Sequence, residues 1–156
     1  MIKLVRVDHR LLHGQVAFSW TNGLGADCIL IANDMIMNSD VWKTTLRLGK
    51  PSGVKLVMKN LEDAIKAINS GVTDKYKLII VVQTIEDAKK LLDGCPLIKS
   101  LNLGNTKESK MTKQIGKQVF VTKEEEKLLK EVIDSGVEVE IRPLVDDKKI
   151  YAKDVL

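Results

Sequence analysis

The chain has 156 residues, 44% of them hydrophobic and 29% charged; this suits one hydrophobic core and would cramp two, so a single domain over residues 1–156 is expected. No run approaches the ~20 consecutive apolar residues that cross a bilayer, and Met1-Ile2-Lys3-Leu4-Val5-Arg6 has basic residues inside its apolar run and no small-residue cleavage site, which predicts a soluble, unexported, cytoplasmic chain. The net charge of +4 comes from 25 basic against 21 acidic residues, with aromatics at only 4%, so the surface is expected to be a mixed-sign solvated one with no nucleic acid as partner, its mild basic excess suited to an acidic protein.

Short β-branched runs alternate with longer amphipathic segments along the chain. This is the pattern of an α/β protein with a single open, mainly parallel sheet of about seven strands and helices on both faces. The first predicted strand is Ile2 to Val7, followed by a helix from about Gln15 to Asn22. A strand at Cys28 to Ala32 and a helix from about Ser39 to Leu48 come next, then a strand at Val54 to Met58. Asn60 is a helix N-cap ahead of Glu62 and Asp63, and Gly71 a left-handed C-cap. The run Leu78 to Val82 is apolar throughout, as expected of a strand covered on both faces. Thr84 caps the next helix, which is expected to end at a left-handed Gly94, and Ser100 to Leu103 forms a further strand. Between Gly104 and Gly116 the spacing of Lys107, Lys110, Lys113 and Lys117 reads as a surface loop, with docking of an anionic partner as its functional alternative. A strand at Gln118 to Val121 precedes a helix capped by Thr122 and closed by Gly136. The last strand, Val137 to Pro143, alternates strictly and is placed at a half-exposed edge. Cys28, in an apolar run, and Cys95, before Pro96, form no Cys-x-x-Cys pair, so two reduced thiols are expected.

Both histidines fall in Arg6-Val7-Asp8-His9-Arg10-Leu11-Leu12-His13-Gly14-Gln15-Val16, where strand one gives way to helix one, and ligands collect at such carboxyl ends of parallel strands. A phosphoryl acceptor must be nucleophilic near neutral pH and able to release the group again, which neutral imidazole satisfies. Arg10 and Arg6 offer planar donor forks to phosphoryl oxygens. Gly14 leaves room beside the group, and a helix starting near Gln15 turns free N–H groups toward an anion. Asp8 is placed to orient an arginine or fix a histidine tautomer, or simply to cap a turn. The residues alone leave other uses open: an acid–base histidine pair in phosphodiester cleavage, a non-catalytic anion-binding or regulatory module, or histidines satisfied within a loop. His9 and His13 stand four apart without a third ligand, so no metal is expected. No phosphate-cradling Gly-x-x-x-x-Gly-Lys stretch is present, so no nucleotide or other cofactor is expected either. Trp20 and Trp42 read as core or interface residues.

The segment Arg6 to Val16 closely resembles the active-site stretch of the IIB components of the mannose/fructose/sorbose sugar phosphotransferase system. The resemblance continues through Trp20, Ile31-Ala32-Asn33-Asp34, Pro51-Ser52-Gly53-Val54-Lys55, Leu101-Asn102-Leu103-Gly104 and Gly136 to Arg142, nearly the whole chain. It implies a protein-N-phosphohistidine–sugar phosphotransferase in which His13 takes phosphate from a IIA phosphocarrier and passes it to a sugar imported through the membrane IIC and IID subunits, with Arg10 beside the phosphate. It also implies a cytoplasmic protein peripherally associated with the transporter, with sugar choice lying mainly in the membrane subunits; homo-oligomerisation is left open. The chain departs from the family pattern at His9, where many relatives are acidic, and at Gly104-Asn105-Thr106-Lys107, where Gly-Gly and an apolar residue are usual.

Overall fold

The computed structural model describes residues 1–156. In chain order the elements are β1 (Ile2–Asp8), α1 (Gly14–Leu24), β2 (Cys28–Ala32), α2 (Asp40–Leu48), β3 (Lys55–Lys59), α3 (Leu61–Ser70), β4 (Leu78–Val82) and α4 (Ile85–Gly94). They continue as β5 (Ser100–Asn105), β6 (Lys113–Gly116), β7 (Val119–Val121), α5 (Lys123–Asp134), β8 (Glu138–Ile141) and β9 (Ile150–Tyr151). Seven strands form one sheet in the order β3-β2-β4-β1-β5-β8-β9, with only β9 antiparallel to its neighbour. No helix is long and apolar enough to cross a membrane.

The two-residue period of the strands divides the core in two. On one face Leu4, Ile29, Ile31, Ile79 and Val81 pack with Ala17 and Trp20 of α1 and Leu46 of α2. On the other, Val5, Val7, Leu30, Ile80, Val82, Leu101 and Leu103 meet residues of α3, α4 and α5. Strands β2 and β4 are buried along their whole length, which is why their sequences are apolar at every position. Four helices begin with a side-chain cap: Ser39, Asn60, Thr84 and Thr122 each accept from a backbone N–H in the first turn, and Thr122 with Glu125 completes a capping box. Gly71 and Gly136 take the expected left-handed conformation.

Four expectations are corrected. Gln118 to Val121 does not join the main sheet; its observed part, β7, pairs antiparallel with β6 in a separate hairpin. The lysine-bearing segment is therefore partly β-structure, anchored by the buried Ile115, Val119 and Val121. The last long strand is not an edge, because β9 pairs with β8 beyond it, and Glu140 is buried beside Arg142 despite the alternating pattern. Gly94 is the last residue of α4 rather than a left-handed cap: a Cβ there would sit 2.9 Å from the Ile65 side chain of α3, so the glycine lets the two helices approach without displacing it.

Candidate functional site

The helices that follow β1 and β2 lie on one face, and those that follow β3, β4 and β7 lie on the other. Strands β1 and β4 are neighbours whose onward connections leave in opposite directions, so a crevice opens between their carboxyl ends. The loop from Asp8 to His13 stands at this crevice. His9 bridges it through its backbone: its N–H donates to Asn105 O at 3.0 Å, and its O accepts from Gln83 Nε2 at 3.2 Å. Asn33 Nδ2 donates in turn to Gln83 Oε1 at 3.2 Å, extending the polar chain to the end of β2.

Beneath the loop lies a buried charge cluster. Asp8, only 1% exposed, accepts from Arg6 Nη2 at 3.2 Å through Oδ2, and through Oδ1 from the Arg10 backbone N–H at 3.0 Å. The Arg10 Nε lies 3.7 Å from the same Oδ1, with the arginine side chain 37% exposed. Arg6 is buried and also donates through Nη1 to Asn102 Oδ1 at 2.8 Å and to the Arg142 carbonyl at 3.2 Å. Burial pushes the Arg6 guanidinium down from its ordinary range, and the neighbouring Asp8 carboxylate opposes that shift. The ring of Trp20 lies 5.5 Å from the Arg6 guanidinium carbon and 4.9 Å from that of Arg142, and its N–H donates to Pro143 O at 3.1 Å. One indole from α1 thereby lies within cation–π distance of two guanidiniums, from β1 and from just past the end of β8. Arg142 Nη2 donates to Glu140 Oε1 at 3.4 Å, while Arg142 Nε faces Glu140 Oε2 at 3.1 Å without hydrogen-bond alignment.

Above this cluster His13 is exposed and occupies the N-cap position of α1 in an extended conformation. Unlike the other four α-helices, α1 has neither a side-chain cap nor an acidic residue in its first turn. Its positive end is therefore unneutralised by protein side chains, the condition under which a helix amino end favours an anion. A Cβ built on Gly14 meets nothing within 4 Å, so the space beside His13 is open. Gln15 is exposed in the same first turn. The recess beneath the loop measures only about 20 Å³, too small for a sugar. No three His, Cys, Asp or Glu side chains converge to hold a metal ion. The arrangement can present a nucleophilic imidazole to an anion that arrives from outside.

The structure brings together all six residues singled out in the sequence, namely Arg6, Asp8, Arg10, His13, Gly14 and Gln15, though Arg6 faces inward. Of the residues that surround this loop from other elements, Gln83, Asn102, Gly104 and Arg142 carried no assigned role in the sequence, and Trp20 read only as a core or interface residue. A polar Asn102 set between Leu101 and Leu103 was the one visible sign. Lys113 pairs with Glu126 at 3.1 Å, while Lys107 and Lys110 are exposed in the segment leading into the hairpin and Lys117 is exposed at its turn.

Fold and site together define an open, mainly parallel α/β domain with its polar loop at the switch point. The family model for the PTS system sorbose subfamily IIB component matches residues 2–156, and the chain belongs to that family. It is 34% identical to a probable phosphotransferase enzyme IIB component of Streptococcus pyogenes, over 67% of this chain and 64% of that protein. It is 27% identical to the mannose-specific EIIAB component of Escherichia coli, over 100% of this chain and 48% of that protein. The chain thus spans about two thirds and about half the length of these two relatives. Among solved structures, the IIBSor domain of the sorbose permease from Klebsiella pneumoniae superposes with a TM-score of 0.91 at 27% identity, covering 99% of this chain and 94% of that one.

Proposed function

We propose that residues 1–156 form a single IIB domain that carries a phosphoryl group on His13, taken from a IIA component and passed to a sugar imported through membrane IIC and IID subunits. In the first step an imidazole nitrogen of His13 attacks the donor's phosphohistidine in line. The bond from phosphorus to the donor nitrogen breaks as the bond to His13 forms. In the second step a sugar hydroxyl oxygen attacks the same phosphorus, the bond to His13 breaks, and the hydroxyl proton is released. Such transfers depend on positioning and charge stabilisation, because negative charge spreads over the equatorial oxygens.

Each residue has a defined part. The exposed Arg10 guanidinium turns from Asp8 toward the phosphoryl oxygens, and the first-turn N–H groups of Gly14 and Gln15 face them from the helix end. Arg6 holds the Asp8 carboxylate in place from below, and Asp8 holds the Arg10 backbone. His13 is favoured over His9 as acceptor because it is exposed at the helix amino end, whereas the His9 backbone is tied on both sides to Asn105 and Gln83. The shallow recess at the loop agrees with a sugar held by another subunit, working at the cytoplasmic side of the transporter.

The observation that carries this reading is an exposed imidazole at the one uncapped α-helix amino end, with an exposed arginine three residues before it, in a chain of this family. The test is incubation with a sorbose-family IIA protein charged from radiolabelled phosphoenolpyruvate. The wild-type chain should acquire an acid-labile, base-stable phosphate, His13→Ala none, and His9→Ala most of it. Retention of label by His13→Ala and its loss in His9→Ala would transfer the role to His9.

A further inference from the structure

Leu11 is the only non-glycine residue with a positive φ, at 62°. Left-handed backbone places the Cβ of an L-residue against the following carbonyl, and leucine gains no local side-chain hydrogen bond there to compensate, as Asn or Asp would. Yet Leu11 is 3% exposed, and Leu12 beside it is also buried. Both belong to the cluster that includes Leu4, Ile29, Ile79 and Val81. In extended chain two successive side chains point to opposite sides; the left-handed turn lets both enter the same core.

The flanking residues take the opposite fate. Arg10 and His13, immediately before and after the two leucines, are both exposed. The Leu11 N–H donates to Asp8 O at 2.9 Å, closing the turn that also fixes the Arg10 backbone on Asp8 Oδ1. On the far side the loop is backed by Gly49, where a Cβ would lie 3.7 Å from Leu12 O and 3.9 Å from Gly14 N. Glycine at position 11 would reach the same φ without strain, but it would have no side chain to hold the loop there.

We infer that Leu11 is a positioning residue for phosphoryl transfer: its strained, side-chain-anchored turn buries the Leu11-Leu12 pair and thereby sets Arg10 and His13 outward from the core. This rests on the proposed role of His13. Anchoring by an apolar side chain makes the turn a stable feature of the unphosphorylated protein, so the acceptor and its arginine need not be assembled during the encounter with the donor.

The test compares Leu11→Gly, which permits the turn but removes its anchor, with Leu11→Met, which keeps an apolar anchor. Both are charged by radiolabelled phospho-IIA in single-turnover reactions over a range of IIA concentrations. Leu11→Gly should lose about tenfold or more in the saturating rate, with the half-saturating concentration within about twofold of wild type. Leu11→Met should recover most of that rate. A merely structural defect at the docking face would instead move the half-saturating concentration. Should Leu11→Gly fail to fold, Leu11→Asn, which tolerates left-handed backbone but lacks the apolar anchor, makes the same comparison. A glycine variant as fast as wild type, or one whose loss lies wholly in half-saturation, overturns the inference alone. An unlabelled wild-type chain would overturn the carrier role as well.

Discussion

Gly104→Ala tests the cluster under the Asp8 to His13 loop from a position outside that loop. Gly104 lies in β5 where its register with β1 slips, Val7 pairing with Leu103 and Asp8 with Asn105, so Gly104 is the extra residue of a bulge. A Cβ there would fall on the Arg6 guanidinium itself, inside contact distance of its carbon and both terminal nitrogens. If Arg6 is evicted, its bonds to Asn102, Arg142 O and Asp8 break and the Asp8 carboxylate is left buried without its partner, a loss of about 3–5 kcal/mol. If β5 shifts instead, the strain costs about 1–3 kcal/mol and the Asp8 turn moves with it. Against a total stability of about 5–15 kcal/mol for a domain, either route is a large fraction. Urea unfolding of Gly104→Ala should show the loss, and His13 labelling by phospho-IIA should slow. In an Arg6→Met background, where the flexible thioether can yield, adding Gly104→Ala should cost less than about 1 kcal/mol. Equal costs in the two backgrounds would refute the account, because the clash would then not act through Arg6.

Arg10→Lys should slow labelling of His13 about tenfold or more, roughly the worth of one charge-assisted hydrogen bond, because an ammonium cannot present a planar fork; an unchanged rate in the phospho-IIA assay removes Arg10 from the mechanism. Gly94→Ala should destabilise the wild-type chain by about 1 kcal/mol in urea, the crowding of Ile65 outweighing the gain in helix propensity. In an Ile65→Ala background the same change should become neutral or stabilising, and a loss undiminished there would show that the contact is not the cause. Burial pushes the thiols of both Cys28 and Cys95 up, so each is held away from its reactive thiolate form. A disulfide reagent should label neither promptly in native buffer and both in denaturant; a rapid native burst would contradict their burial.

Much of the fold was legible because its causes are local. The predicted strands at Cys28 to Ala32 and Leu78 to Val82 match β2 and β4 residue for residue, since burial on both faces leaves an apolar run that no neighbouring pattern imitates. The caps at Asn60, Thr84 and Thr122 are equally local, each an oxygen meeting an amide three residues on. The misplacements arose where partners are distant in sequence. The alternation in Val137 to Arg142 suggested exposure, yet Glu140 is buried against Arg142, and β9 covers the edge with only two paired residues. Lysines at Lys107, Lys110, Lys113 and Lys117 disguised β6, whose pairing with β7 needs only the buried Ile115, Val119 and Val121 to hold it.

The sequence alone determined the α/β class, the ends of most elements and the segment Arg6 to Gln15, because propensity, periodicity and residue chemistry act over a few neighbouring positions. Only the tertiary structure decided that Arg6 faces inward to Asp8, Asn102 and Arg142 while Arg10 faces out, and that the Trp20 ring meets the guanidiniums of both Arg6 and Arg142. These assignments depend on which strands lie side by side. β1 sits between β4 and β5 although four α-helices, α1 to α4, and three strands, β2 to β4, separate it from β5 in the chain, and that adjacency is set by closing one shared core, which no short stretch of sequence encodes.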